Sequence, residues 1–183
     1  MYRRGQDVKL QLMFKEIESV MPLFGICINK RQAGILDRKW KILPLDDSTQ
    51  AKEQATEVQK VFDISNTYSR GSLDNALAHL ELASFRGRAC VKPYFNDNGD
   101  LNFKKVENWY TLQCGDTLYW NPEMNQNIQF TDDSYTKLQV LSDSEVCWIS
   151  NERPIDIPGF SIYLRQLVGE SKWAECVERQ GIP

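Results

Sequence analysis

The spacing of apolar residues changes twice along this 183-residue chain, and those changes constrain the fold more than any other feature. Leu10, Met13, Phe14, Ile17 and Met21 recur at intervals of three and four, which predicts an amphipathic helix over 8–21. Pro22 suits the first turn of a second helix, because its missing N–H has no partner there anyway. That helix carries Leu23, Phe24, Ile26, Cys27 and Ile28, nearly all apolar, so it is expected to be well buried and to end near Gly34. Trp40, Ile42 and Leu43 predict a short strand that Pro44 limits. Ser48 is a good N-cap for a third helix with Ala51, Ala55, Val58 and Phe62 on one stripe. Ser72 caps a fourth with Leu73, Ala76, Leu77 and Leu80 in register; Asp74 lies favourably in its first turn, and Gly87 closes it.

From Arg88 the grammar is that of strands. Ala89, Val91 and Tyr94-Phe95 predict one strand, Leu101 and Phe103 the next. Between them Asn96-Asp97-Asn98-Gly99-Asp100 is a hairpin turn, since Asn and Gly tolerate positive φ. Further strands are expected at Thr117–Trp120, Ile128–Phe130, Lys137–Leu141 and Val146–Ile149. After Pro158-Gly159 the helical interval returns with Tyr163, Leu164, Leu167 and Val168, then Trp173, Cys176 and Val177, with Gly169 as a point of breakage or kinking. No β-α-β alternation supports a parallel sheet. The expectation is therefore a single α+β domain over 1–183, mainly helical over 1–87, strand-rich and antiparallel over 88–150, and helical over 158–183.

Charge and cysteine usage narrow the function classes. Lys+Arg 22 against Asp+Glu 25 gives a formal net charge of −3, so any contact with nucleic acid must be local. No apolar run approaches the roughly 20 residues of a membrane span, and the charged start lacks the uncharged core of a signal peptide, which makes a cytoplasmic location the expectation. Cys27, Cys90, Cys114, Cys147 and Cys176 are widely spread without a C-x-x-C pair, the pattern of reduced thiols and not of a zinc site.

No sequence motif for nucleotide, zinc-protease or hydrolase chemistry is present. His79, the only histidine, would need a distant cysteine as nucleophile, and its position beside Leu80 in a helix reads as structural. Asp46-Asp47 and Asp132-Asp133 could bind a cation, yet adjacent acids in loops are ordinarily solvated. Trp109, Tyr110, Tyr119 and Trp120 lack the basic alternation of a base-stacking platform, so core packing is the expectation. No catalytic residue, metal ligand or cofactor site is expected. The one local excess of charge is Lys30, Arg31, Arg38, Lys39 and Lys41, five cations with one anion, Asp37, in between. These residues could contact phosphate or a partner, or simply face the negative end of a helix dipole.

Three segments, in order, resemble the Mu-like bacteriophage portal protein family. The first runs from Ile28-Asn29-Lys30-Arg31-Gln32-Ala33-Gly34-Ile35-Leu36 into Trp40-Lys41-Ile42-Leu43-Pro44; the second is the apolar helix from Leu73, with Ala83, through Phe85-Arg86-Gly87 into Val91. The third runs from Gly159-Phe160-Ser161 to Lys172-Trp173-Ala174-Glu175-Cys176-Val177-Glu178-Arg179-Gln180-Gly181-Ile182-Pro183, where Cys176 replaces the family's bulkier aromatic. The resemblance implies the N-terminal, wing-like portion of a non-catalytic portal subunit, the head–tail connector for DNA packaging in a tailed phage or prophage, without the stem and clip that line the DNA channel. It further implies a homo-oligomeric ring, the packaging terminase and head proteins as partners, at most weak non-specific DNA contact, no membrane, and a place in the virion or host cytoplasm. A standalone α+β binding or adaptor module of a mobile element is the alternative.

Overall fold

The computed structural model describes residues 8–38, 40–66, 71–124, 138–151, 155, 161–162, 165–166 and 168–175. Two helices come first, α1 (Val8–Val20) and α2 (Pro22–Leu36), separated by Met21 alone, with Pro22 in the first turn of α2 as its fixed φ favours. Helix α3 (Thr49–Ser65) starts where the Ser48 side chain accepts a hydrogen bond from the Ala51 N–H. Ser72 caps α4 (Leu73–Leu80) in the same way, accepting from the Asn75 N–H. The helix expected to reach Gly87 breaks at Glu81–Leu82 and resumes as the short α5 (Ala83–Arg86). Gly87 ends α5 at φ 87°, a left-handed value that a side chain would strain.

Strands β1 (Arg88–Phe95) and β2 (Leu101–Val106) form the expected hairpin, with Phe95 opposite Leu101. Its turn is built by Asn96, whose side-chain oxygen accepts from the N–H groups of Asn98 and Asp100, while Gly99 takes φ 82°. A 3-10 turn (Asn108–Tyr110) leads into β3 (Thr111–Cys114) and β4 (Thr117–Trp120), followed by β5 (Gln139–Leu141) and β6 (Cys147–Ser150). All pairings are antiparallel, in two three-stranded sheets ordered β2-β1-β6 and β3-β4-β5. Strand β6 follows β1 only from Arg88 to Val91. Pro93, which has no N–H to offer, lies beyond that pairing. Helical backbone returns at 161–162, 165–166 and 168–175, continuous through Gly169. The order is α+β: helices, antiparallel strands, helix.

Strand β1 is the axis of the core, because both of its faces are covered. Val91 packs with Ala76 of α4 and Phe103 of β2, and Phe62, Leu73, Leu80 and Leu101 close round them. On the opposite face Cys90 meets Leu118 of the second sheet and Val146. A third cluster joins Val8 of α1 to Trp109 and Leu112.

Three expectations need correction, and a strand was missed. Helix α2 is not well buried: Ile28 alone is, while Leu23 is 69% and Ile26 59% exposed. Its neighbours α1 and α4 cover one side only, where Phe24 meets the Phe85 ring edge-on at 6.4 Å and Gln32 donates to the Ala78 carbonyl at 2.8 Å. Trp40–Leu43 is not a strand, for no strand among the described residues pairs with it. The Ile42 N–H donates instead to Gln59 Oε1 at 2.9 Å, and Trp40 packs edge-on against Phe62. On α3 the inward row passes through Ala51, Ala55, Gln59 and Phe62, leaving Val58 exposed. Strand β3 was not anticipated. Of the other strands expected, Ile128–Phe130 lies outside the described residues, as does Lys137.

Candidate functional site

The cations singled out from the sequence do not form one cluster. Lys30 and Arg31 lie on α2 more than a turn before its end, so no basic residue occupies its last turn and the helix-dipole explanation does not fit them. Arg31 Nε donates to Glu81 Oε1 at 2.7 Å, and its guanidinium sits 5.9 Å from the Phe85 ring centroid. This cation ties α2 to the break between α4 and α5. Lys30, Arg38 and Lys41 are exposed, and Lys39 lies outside the described residues.

A different constellation, not foreseen from the sequence, joins α1 to the start of both sheets. Gln11 is fully buried (0% exposed); its Nε2 donates to the Arg86 carbonyl at 2.9 Å, and its Oε1 accepts from Asn108 Nδ2 at 3.3 Å. Asn108 Nδ2 also donates to the Arg88 carbonyl at 2.7 Å. The Arg88 guanidinium returns the connection, donating to the carbonyls of Asn108 and Thr111 at 2.9 and 2.6 Å and to Thr111 Oγ1 at 3.0 Å. Arg86, on the other side of Gly87, forms an ion pair with Glu18 of α1. Burying such groups is tolerated only where they are hydrogen-bonded. The set is arranged to hold segments together: most of its donors are directed at backbone carbonyls, the others at the Gln11 amide, the Thr111 hydroxyl and the Glu18 carboxylate, and it contains no nucleophile beside a base. One trace of it is visible in the sequence, since Gln11 interrupts the buried row Val8, Phe14, Ile17 at the same helical interval.

The remaining chemically interesting residues have structural surroundings. His79 is 5% exposed and donates from Nε2 to the Val106 carbonyl at 3.2 Å; burial holds its imidazole below the usual range, against a smaller opposing effect of that hydrogen bond. Burial likewise pushes the Cys90 thiol up to about 12, whereas Cys27, Cys114 and Cys147 are exposed. Asp46 accepts hydrogen bonds from Ser48, which lower its carboxyl below the ordinary value, and Asp47 pairs with Lys52 at 3.5 Å. Both acids therefore serve the start of α3; Asp132-Asp133 lies outside the described residues. Trp109 is buried, with Lys15 4.4 Å from its ring centroid, and Tyr110 and Trp120 pack against each other at 5.8 Å. Among the described residues no group of three or more His, Cys, Asp or Glu could hold a metal ion, and no helix is long and apolar enough to cross a membrane.

What the surface does offer is apolar. Val20, Leu23 and Ile26 on α1 and α2 are more than half exposed, and Val58, Val61 and Ile64 on α3 are 42–47% exposed. On α2 and on α3 these residues lie three apart and so share a face. No protein-family model matches the chain, and no curated protein matches it.

Proposed function

We propose that this chain is a non-catalytic structural part of a tailed-phage or prophage portal, the ring that connects head to tail and through which DNA is packaged. The observation that carries the assembly role is α2, whose first two turns are apolar yet turn Leu23 and Ile26 to solvent. An unassembled surface of that kind fits a subunit whose work is to be held by others. The choice of a portal rests on the resemblance of the segments at 28–44, 73–91 and 159–183. In this reading the subunits form a homo-oligomeric ring in the virion or host cytoplasm and engage the packaging terminase and head proteins. Duplex DNA contact is limited to weak, salt-sensitive attraction at Arg38 and Lys41.

The test is to express the natural reading frame that contains this chain and to image the product by electron microscopy, with the large terminase of the same genome as bait in a binding assay. Closed rings that retain the terminase are the expected outcome. A protein that stays monomeric and ignores the terminase would overturn the portal reading in favour of an adaptor module.

A further inference from the structure

Two outward rows, one on α2 and one on α3, match each other in spacing and in chemistry. On α2 the side turned away from buried Ile28 carries Leu23, Ile26, Lys30 and Gly34, at intervals of three, four and four. On α3 the side turned away from Ala55 and Gln59 carries, read backwards, Ile64, Val61, Glu57 and Glu53, again at intervals of three, four and four. All eight are exposed, and each row covers about 16 Å of helix at 1.5 Å per residue.

We infer that α2 of one subunit packs antiparallel against α3 of a second copy of this chain. That alignment sets Leu23 against Ile64, Ile26 against Val61, Lys30 against Glu57, and the small Gly34 against Glu53. Nothing lies within 4 Å of a Cβ built on Gly34, so the surface there is open to a neighbour. The apolar half of each row meets the apolar half of the other, and the cation of one meets the acids of the other. A parallel arrangement would place Lys30 among Val61 and Ile64 and the acids on Leu23 and Ile26, so charge fixes the direction. Lys60 shares the α3 face; it stands one turn from Glu57, which offsets its charge, and opposite Cys27. Because the two faces differ, the contact is head-to-tail and leaves a free α2 on one subunit and a free α3 on the other, as a ring or open chain requires. A single helix pair lies at the low end of interface sizes, so two copies associate weakly and the closed assembly gains from every contact at once.

The inference rests on the assembly reading for its choice of partner, and its test is separate from the imaging of rings. Lys30→Glu and Glu57→Lys alter exposed residues and leave the fold intact, which circular dichroism checks. Sedimentation velocity over a wide concentration range should show self-association of the native chain, its loss in either variant alone, and its return when the two variants are mixed, since each then offers the other a complementary charge. In a second measurement, Val61→Cys treated with a short bismaleimide should yield a dimer joined through Cys27 and position 61, whereas Asp74→Cys on α4 should not. Peptide mass spectrometry of the dimer band separates these products from links through Cys114 or Cys147. A native chain monomeric throughout, no recovery on mixing, or dimers joined elsewhere would each overturn the α2–α3 contact. Rings that form without this cross-link would leave the portal reading intact and discard only the contact. The cross-link without rings would do the reverse.

Discussion

The junction around Gly87 and the outer side of α2 reverse the ordinary distribution of polarity. At the junction Gln11, Arg86, Arg88, Asn108 and Thr111 are all buried, whereas on α2 Leu23 and Ile26 face solvent. Residue type alone decides neither. Gln11 is inside because a carbonyl from α5 and an amide from the 3-10 turn converge on it. Leu23 is outside because α1 and α4 occupy only the other side of its helix. Hydrogen-bonded polar groups tie the domain's own segments together at the junction, and the outer side of α2 leaves apolar groups uncovered.

Variants at the two regions should separate them by stability, and the largest effect belongs to the core beside the junction. Phe14, 2% exposed on the inward row of α1, should cost about 3–5 kcal/mol when changed to Ala, read from urea denaturation. A loss below about 1 kcal/mol would mean that α1 is not seated as described. Arg88→Ala should cost about 3 kcal/mol, because it removes the charged donor that binds the buried carbonyls of Asn108 and Thr111 and the Thr111 hydroxyl. If Arg88→Ala is as stable as the native protein, the buried polar set is ornamental and the contrast fails.

A pH titration sharpens the same boundary from the α4 side. Because His79 has its basicity lowered in the folded state, the unfolded chain binds the proton more readily. The stability it contributes is fully present above its ordinary value near 6.5 and is lost as pH falls through the window below it. The slope should not exceed about 1.4 kcal/mol per pH unit, the limit for one proton. Between the native chain and His79→Gln the difference in denaturation midpoint should stay constant above that window and change within it; parallel curves throughout would show that His79 titrates normally. At the bottom of the scale, Leu23→Ser should change stability by no more than about 0.5 kcal/mol, as for a surface position. A drop of several times that would place Leu23 in a core.

Local chemistry was legible in the sequence. Ser48 and Ser72 cap helices, Asn96 and Gly99 make the hairpin, and Gly87 terminates a helix because each needs only its neighbours in the chain. What depends on distant partners was not. An apolar run such as Leu23–Ile28 shows that a helix can be buried, not that anything comes to cover it. Leu77 reads as part of the stripe with Leu73 and Leu80, yet the cluster round Val91 is closed by Phe62 from α3 instead. Trp40–Leu43 has strand composition but no edge to join. At the candidate site, the sequence marks Lys30 and Arg31 equally, and only the fold shows that Arg31 is bound to Glu81 while Lys30 is exposed. Arg86 and Arg88 carry no local sign that they are internal.

The bond between Gln11 and Asn108 spans 97 residues of sequence, and that interval is also a time. At roughly 5–20 residues per second, about 5–20 s of synthesis separate the emergence of α1 from the arrival of its partner. Throughout that interval α1 can lean on α2, which follows it at once, while the Gln11 amide waits for its partner in the 3-10 turn. The order of translation thus separates the making of α1 from the completion of its seat by far longer than it separates the two strands of the β1–β2 hairpin.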